Sequence, residues 1–241
     1  MTPAFARRLF AIMAIAAGLG VLATTAAFQF LPEVKDAAAC ARSTSLIEFQ
    51  QARSMDDLIA VFSAPGGRCR APMVAAMDAQ NTLDLVLYIP LYALFLVAAA
   101  AAFERRVKSP LFLMAFAAAA IGVAGDVLET LIQLRIADDV EAARPLLAPL
   151  AVGYWLKYAG LAAHAAVFAG IAFRAGRRFW LLALAAIAPP LAFAAAAAGA
   201  GSSLIAAFAV FWLALLAALA LLAFRPADAP ATDRPPSAQD A

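Results

Sequence analysis

Asp84, Asp126, Glu129 and Lys157 are charged side chains set inside long apolar stretches, and that placement is the feature of this chain most able to do chemistry. Carboxylates and an amine withheld from water can trade protons, pair with one another or grip a polar solute, because each is costly to leave alone where nothing solvates it. Each belongs to a polar stripe with helical spacing. Asn81, Asp84, Tyr88 and Tyr92 recur every three or four residues, and Asp126, Glu129, Thr130 and Gln133 again fall on one helical face. A third stripe carries Tyr154, Lys157, Tyr158 and, two turns on, His164.

The elements that must position these stripes follow from composition. Of 241 residues, 66% are apolar and 14% charged, against roughly 45–50% and 25% in a soluble domain. A water-soluble fold has too little interior for that much apolar surface. Apolar runs cover residues 9–31, 82–103, 110–136, 146–173, 179–198 and 203–224, each near the ~20 residues that cross a bilayer as helix. The fold expected is an all-α membrane protein, a six-span transmembrane bundle over residues 1–225. Pro189 and Pro190 fall inside the fifth run and predict a kink. Residues 226–241, rich in Ala, Pro, Asp, Thr and Ser, read as a disordered cytoplasmic tail. The basic residues lie in short clusters between apolar runs, so nucleic-acid binding has no support.

Those clusters orient the bundle. Arg7 and Arg8, then Arg105, Arg106 and Lys108, then Arg174, Arg177 and Arg178, and finally Arg225 all fall on one side. The opposite side carries Asp138, Asp139 and Glu141 and the uncharged turn at 199–203. By the positive-inside rule the basic side is expected to be cytoplasmic and to hold both termini, and the alanine- and arginine-rich composition leads us to expect a bacterial inner-membrane protein. The small residues Thr25-Ala26-Ala27 leave open a cleaved leader. The first apolar run exceeds the ~7–15 residues of a leader core, so a retained anchor is expected.

The long polar segment 32–80 falls on the outer side. Ser45 with Glu48, and Ser54 with Asp57, have the spacing of capping boxes that open short helices. The second such helix carries Leu58, Ile59, Val61 and Phe62 and stops at Pro65-Gly66-Gly67. A small helical periplasmic cap is expected, acting as a lid or as a docking point. Cys40 and Cys69, the only cysteines, both lie in this segment. In an oxidising compartment they are expected to form a disulfide; the alternative is two free thiols.

Counting about 1.5 Å of rise per residue inward from the outer ends puts Asp84 roughly 5 Å deep, Glu129 about 10 Å, and Asp126 and Lys157 about 15 Å. These four share the outer half of the membrane, and His164 lies deeper. Exposed to lipid, each would cost roughly 2.5–3.5 kcal/mol near mid-membrane. The three stripes are therefore expected to converge, with Lys157 pairing Asp126 or Glu129, in a pocket enclosed by the first four spans and the cap and open to the periplasmic side. One lysine cannot neutralise three carboxylates. Unless Asp84 is wet or Arg135 reaches inward, at least one acid is expected to keep its proton.

Several chemistries fail on inventory. His164 is the only histidine, which excludes paired-histidine haem and zinc ligation within the chain; a hydrogen-bonded packing role is its plainer reading. Gly122-Val123-Ala124-Gly125-Asp126 approaches the Gly-x-Gly-Asp of intramembrane aspartyl proteases, but Val123 stands where a glycine is required. Gly201-Ser202-Ser203 only faintly resembles a serine-protease loop and lies far from His164. A hard cation on Asp84, Asp126 and Glu129 is disfavoured by the adjacent positive charge of Lys157. The alanine-rich steps Ala162, Ala166 and Gly170 permit close helix packing without specifying it.

The order of parts resembles a group of small bacterial polytopic inner-membrane proteins for which no activity is established. The likeness rests on the helical outer loop, on Asp84-Leu85-Val86-Leu87-Tyr88-Ile89-Pro90-Leu91-Tyr92, on Asp126-Val127-Leu128-Glu129 and on Lys157, over residues 45–175. It implies a membrane bundle and names no reaction. Function is thus expected to be transport or sensing of a small polar solute or proton through Asp84, Asp126, Glu129 and Lys157. Asn81, Tyr88, Thr130, Gln133, Tyr154, Tyr158 and His164 are the expected lining. A membrane enzyme acting on a lipid headgroup, with Glu129 or Asp126 as general base, is one alternative. The other is a structural subunit whose cluster clamps helix register. No cofactor, metal or catalytic residue is assigned, and the bilayer is the only macromolecular partner indicated.

Overall fold

The computed structural model describes residues 3–40, 46–107, 109–200 and 204–224. The readings that fall on Ser45, Lys108, residues 201–203, Arg225 and the 226–241 tail lie outside the described residues, as do those on the side chains of Arg105 and Arg106. No strand occurs among the described residues, and six helical stretches are long and apolar enough to cross a membrane. Large apolar side chains such as Leu113, Leu181 and Leu191 stand 72%, 81% and 65% exposed, a surface that lipid tolerates and water does not. The chain is a multi-pass membrane protein.

The first membrane helix is α1 (Pro3–Ala27), followed by a 3-10 turn at Phe28–Phe30 and the short helices α2 (Pro32–Ala37), α3 (Leu46–Gln50) and α4 (Met55–Phe62). The second span is one continuous stretch, Arg70–Glu104, within which α5 (Arg70–Leu83) passes through a π-helical turn, Asp84–Tyr88, into α6 (Ile89–Val107). It starts well before residue 82, where the apolar run begins. Pro72 sits in its first turn, where a missing N–H costs nothing. The amphipathic turns from Arg70 to Gln80 stand among the cap helices, burying Met73, Ala76 and Met77. The remaining elements are α7 (Leu111–Asp138), α8 (Leu147–Arg174), α9 (Trp180–Ala185), α10 (Ala188–Ala197) and α11 (Leu204–Phe224). The fifth span is broken rather than kinked. Pro189 and Pro190 lie at the start of the new helix α10, leaving Ala186 and Ile187 as the joint.

The cap has a core of its own. Phe49, Leu58, Val61 and Phe62 pack on Met73 and Met77 of α5 and on Ile132, Ile136, Leu147 and Leu150 of α7 and α8. Phe49 and Phe62 meet edge to face at 4.8 Å. At the start of α4, Ser54 Oγ accepts the N–H of Asp57 at 3.1 Å, and the Asp57 carboxylate accepts the N–H groups of Arg53 and Ser54, each at 2.8 Å. The backbone N–H of Arg53, with the Ser54 contacts, holds the Asp57 carboxyl below its usual range. Cys40 and Cys69 form a disulfide, their Cα atoms 5.3 Å apart, tying α2 to the start of α5. Arg70 bonds Glu141 at 2.5 Å and donates to Ser63 O at 2.8 Å, fixing the cap to the turn after α7.

Below the cap, α7 runs along α8, while α1 packs on α6 and α11. The α7–α8 contact is close because glycines face it. A Cβ at Gly153 would lie 2.9 Å from the Glu129 Cα, and one at Gly125 would lie 2.8 Å from the Leu156 carbonyl carbon. Gly122 and Gly125, suggestive of a protease motif in sequence, thus serve helix packing, together with Gly153 and Gly160.

Candidate functional site

Close packing of α7 on α8 brings the second and third polar stripes face to face. Lys157 Nζ lies 3.1 Å from Asp126 Oδ1 and 2.6 Å from Glu129 Oε2, all three side chains being 6% exposed or less. Lys157 therefore binds both acids offered as its partner. Asp84 is held differently. Its Oδ2 accepts a hydrogen bond of 2.9 Å from Thr130 Oγ1, and among the described residues no cation lies within ion-pairing distance of it.

The π-helical turn explains how one helix turns so many polar residues inward. Pro90 has no N–H to give the carbonyl of Val86, so regular winding fails there; the N–H of Ile89 reaches back five residues to Asp84 O. The wider turn brings Gln80, Asp84, Tyr88 and Tyr92 to one wall.

That wall bounds a cavity of about 610 Å³, within the range of small-molecule sites. Its polar end carries Asp84, Asp126, Lys157 and Gln80. Its sides are α1 (Gly18, Val21, Leu22, Thr25) and α11 (Ile205, Phe208, Ala209, Trp212, Leu213, Leu216), and Leu46, Ile47 and Gln50 of α3 cover its outer end. Leu22, Ile205 and Leu213 line it and are 45%, 48% and 55% exposed, so the cavity opens sideways between α1 and α11 where lipid would lie. Farther along, a Cβ on Gly18 would come 2.6 Å from Leu216 Cδ2, and that tight approach ends the opening. Aromatic rings are continuous along the wall: Phe28 to Tyr88 at 5.9 Å, Tyr88 to Tyr92 at 5.7 Å, Tyr92 to Trp212 at 5.9 Å and Trp212 to Phe95 at 5.8 Å.

These contacts form two groups, Asp84 with Thr130 and Lys157 with Asp126 and Glu129, and the cavity brings them together, lined by Asp84, Asp126 and Lys157 with Tyr88 and Tyr158. Glu129 lies behind Lys157, away from the lining. Asn81 and Gln133, one turn outward from the Asp84–Thr130 bond, are buried; both Asn81 amide atoms and Gln133 Nε2 have no hydrogen-bond partner among the described residues. Such groups are places to hold water or a ligand atom. Tyr154 faces the cap, its hydroxyl 3.5 Å from Gln51 Nε2 and its ring 5.1 Å from the Arg53 guanidinium. His164 stands apart, with Nδ1 3.0 Å from Ala115 O and its ring against Phe168, a packing position. Among the described residues no group of His, Cys, Asp and Glu side chains assembles as metal ligands.

Sequence reasoning missed α11 altogether as part of the wall, placing the pocket within the first four spans and open toward the cap. Trp212 and Phe208 carry no polar signal, and an apolar residue facing a cavity reads the same as one facing lipid. Pro90 was the available clue to the widened turn.

No protein-family model matches this chain, and no curated protein or solved structure matches it either. The functional reading therefore rests on the geometry of the cluster and its cavity.

Proposed function

We propose that this chain is a bacterial inner-membrane protein that transports or senses a small polar solute or a proton through Asp84, Asp126, Glu129 and Lys157. The observation that carries this reading is the unequal treatment of three buried acids: Lys157 pairs with both Asp126 and Glu129, while Asp84 faces a cavity with, among the described residues, a hydroxyl and no cation bound to it. An acid so placed needs a proton or a cationic partner, and can exchange one for the other. Lys157, within reach of two carboxylates, can shift its weight between them as Asp84 changes charge. In this reading both termini lie in the cytoplasm, supported by the basic loops, and the cap with its disulfide lies in the periplasm.

The test is proton movement in reconstituted vesicles under an imposed pH gradient, read with an internal dye. Glu129→Gln is expected to abolish the protein-dependent movement while leaving the purified protein folded. Movement unchanged from the parent protein would overturn the reading.

The sideways opening favours a second reading, a membrane enzyme acting on a lipid headgroup with Asp126 as general base. Incubation with total bacterial lipid, followed by mass analysis, would then reveal an altered headgroup that Asp126→Asn fails to produce. Identical lipid profiles with and without the parent protein would exclude it.

A further inference from the structure

We infer that the cavity takes a lipophilic organic cation, its charge at Asp84 against the faces of Tyr88, Tyr92 and Trp212, its hydrocarbon body between α1 and α11, and that its arrival displaces a proton from Asp84. The inference rests on the solute- or proton-handling reading above and names the solute.

Three independent features select this class of ligand. The first is charge. The ionic groups lining the cavity are Asp84, Asp126 and Lys157, and Lys157 is committed to Asp126 and Glu129, so the uncommitted charge is negative. Among the described residues no arginine lines the cavity, and a phosphate or sulfate head would meet the carboxylate of Asp84 with none of these residues to hold it. The second is the aromatic wall, since ring faces attract cations most strongly where water is excluded. The third is access: the opening between Leu22 and Thr25 on one side and Ile205, Ala209 and Leu213 on the other admits a molecule already dissolved in the bilayer.

Exchange follows from the single carboxyl at the site. Around Asp84 stand Asp126 of α7, Lys157 and Tyr158 of α8, and Tyr88 and Tyr92 of its own span, with Glu129 behind Lys157; among the described residues α1 and α11 bring no titratable side chain to the cavity. A protonated Asp84 offers no negative charge for a cation to meet, so Asp84 holds either a proton or a monovalent cation, and either one leaves the group at the same net charge. The proton lost leaves toward the cap, where Gln80, Gln50 and Gln29 line the outer end of the cavity.

The experiment uses the full chain in nonionic detergent with three probes of similar bulk: tetraphenylphosphonium, tetraphenylborate and triphenylmethanol. Equilibrium dialysis is expected to show the phosphonium bound at least about tenfold more tightly than the borate. Its affinity should rise with pH, with one proton released into weak buffer per cation bound. Asp84→Asn should remove both the pH dependence and the proton release, and Trp212→Ala should weaken the phosphonium about tenfold. Should Asp84→Asn fail to fold, Thr130→Val replaces it; loss of the Thr130 hydrogen bond to Asp84 should move cation binding to higher pH, and an unmoved profile overturns the inference. Borate bound as well as phosphonium, or phosphonium bound without proton release, overturns the inference. Binding of triphenylmethanol alone overturns it too while sparing the wider reading, which stands or falls on Glu129→Gln in vesicles.

Discussion

Two seams of this bundle follow opposite rules. Between α7 and α8, glycines let the backbones approach until Lys157 meets Asp126 and Glu129 with almost no exposure. Between α1 and α11, a comparable glycine contact at Gly18 and Leu216 gives way to a cavity flanked by half-exposed Leu22, Ile205 and Leu213. The first seam can hold charge because it excludes solvent and lipid alike; the second can admit a guest because nothing in it requires sealing. Asp84 stands where the two seams meet.

The comparison is broken most severely by removing the lysine. Lys157→Met leaves Asp126 and Glu129 buried without their cation and is expected to cost about 3–5 kcal/mol, seen as a large drop in thermal midpoint in detergent. A midpoint close to that of the parent would mean the pairing contributes little. Next comes Gly153→Val, which forces α7 away from α8 at Glu129; overpacking of this kind costs about 1–3 kcal/mol. A neutral result in the same melting assay would show that the seam yields.

A smaller effect belongs to the cap, which packs on the outer ends of α7 and α8. Because Asp57 titrates below the usual carboxylate range in the folded protein, its contribution to α4 is complete above the unfolded value and is lost as pH falls through the folded one. Pepsin cleavage within α4 should therefore rise on acidification, and Asp57→Asn should cut readily throughout with little further pH response. Resistance of α4 that does not change with pH would contradict this. The smallest change in stability is expected from Leu213→Trp at the opening, within about 0.5 kcal/mol of the parent. It should nonetheless reduce binding of bilayer-dissolved ligands, and unaltered binding would place the opening elsewhere.

Much of the sealed seam could be read from the chain. The three-and-four spacing of Asp126, Glu129 and Gln133 and of Tyr154, Lys157 and Tyr158 fixes a polar face on each helix, and the cost of exposing such faces to lipid requires them to meet. Ser54 and Asp57 likewise announce the start of α4, because a capping box is local and needs no tertiary partner. The open seam was not legible. Leu22, Ile205, Phe208 and Trp212 would have the same sequence character on a lipid-facing surface, and only the relative placement of α1 and α11 turns them toward a cavity. The division of labour among the acids was also hidden, since spacing offers Lys157 two partners and does not say that it takes both.

The widened winding at Asp84–Tyr88 amounts to one surplus residue in an otherwise regular coil. Were a single position deleted there, everything toward the amino end of that span would rotate by about 100° and drop by about 1.5 Å. Gln80 and Asp84 would swing off the wall that Tyr88 and Tyr92 still share. The depth at which Asp84 meets the cavity is thus set by a local miscount in one helix rather than by the length of any span.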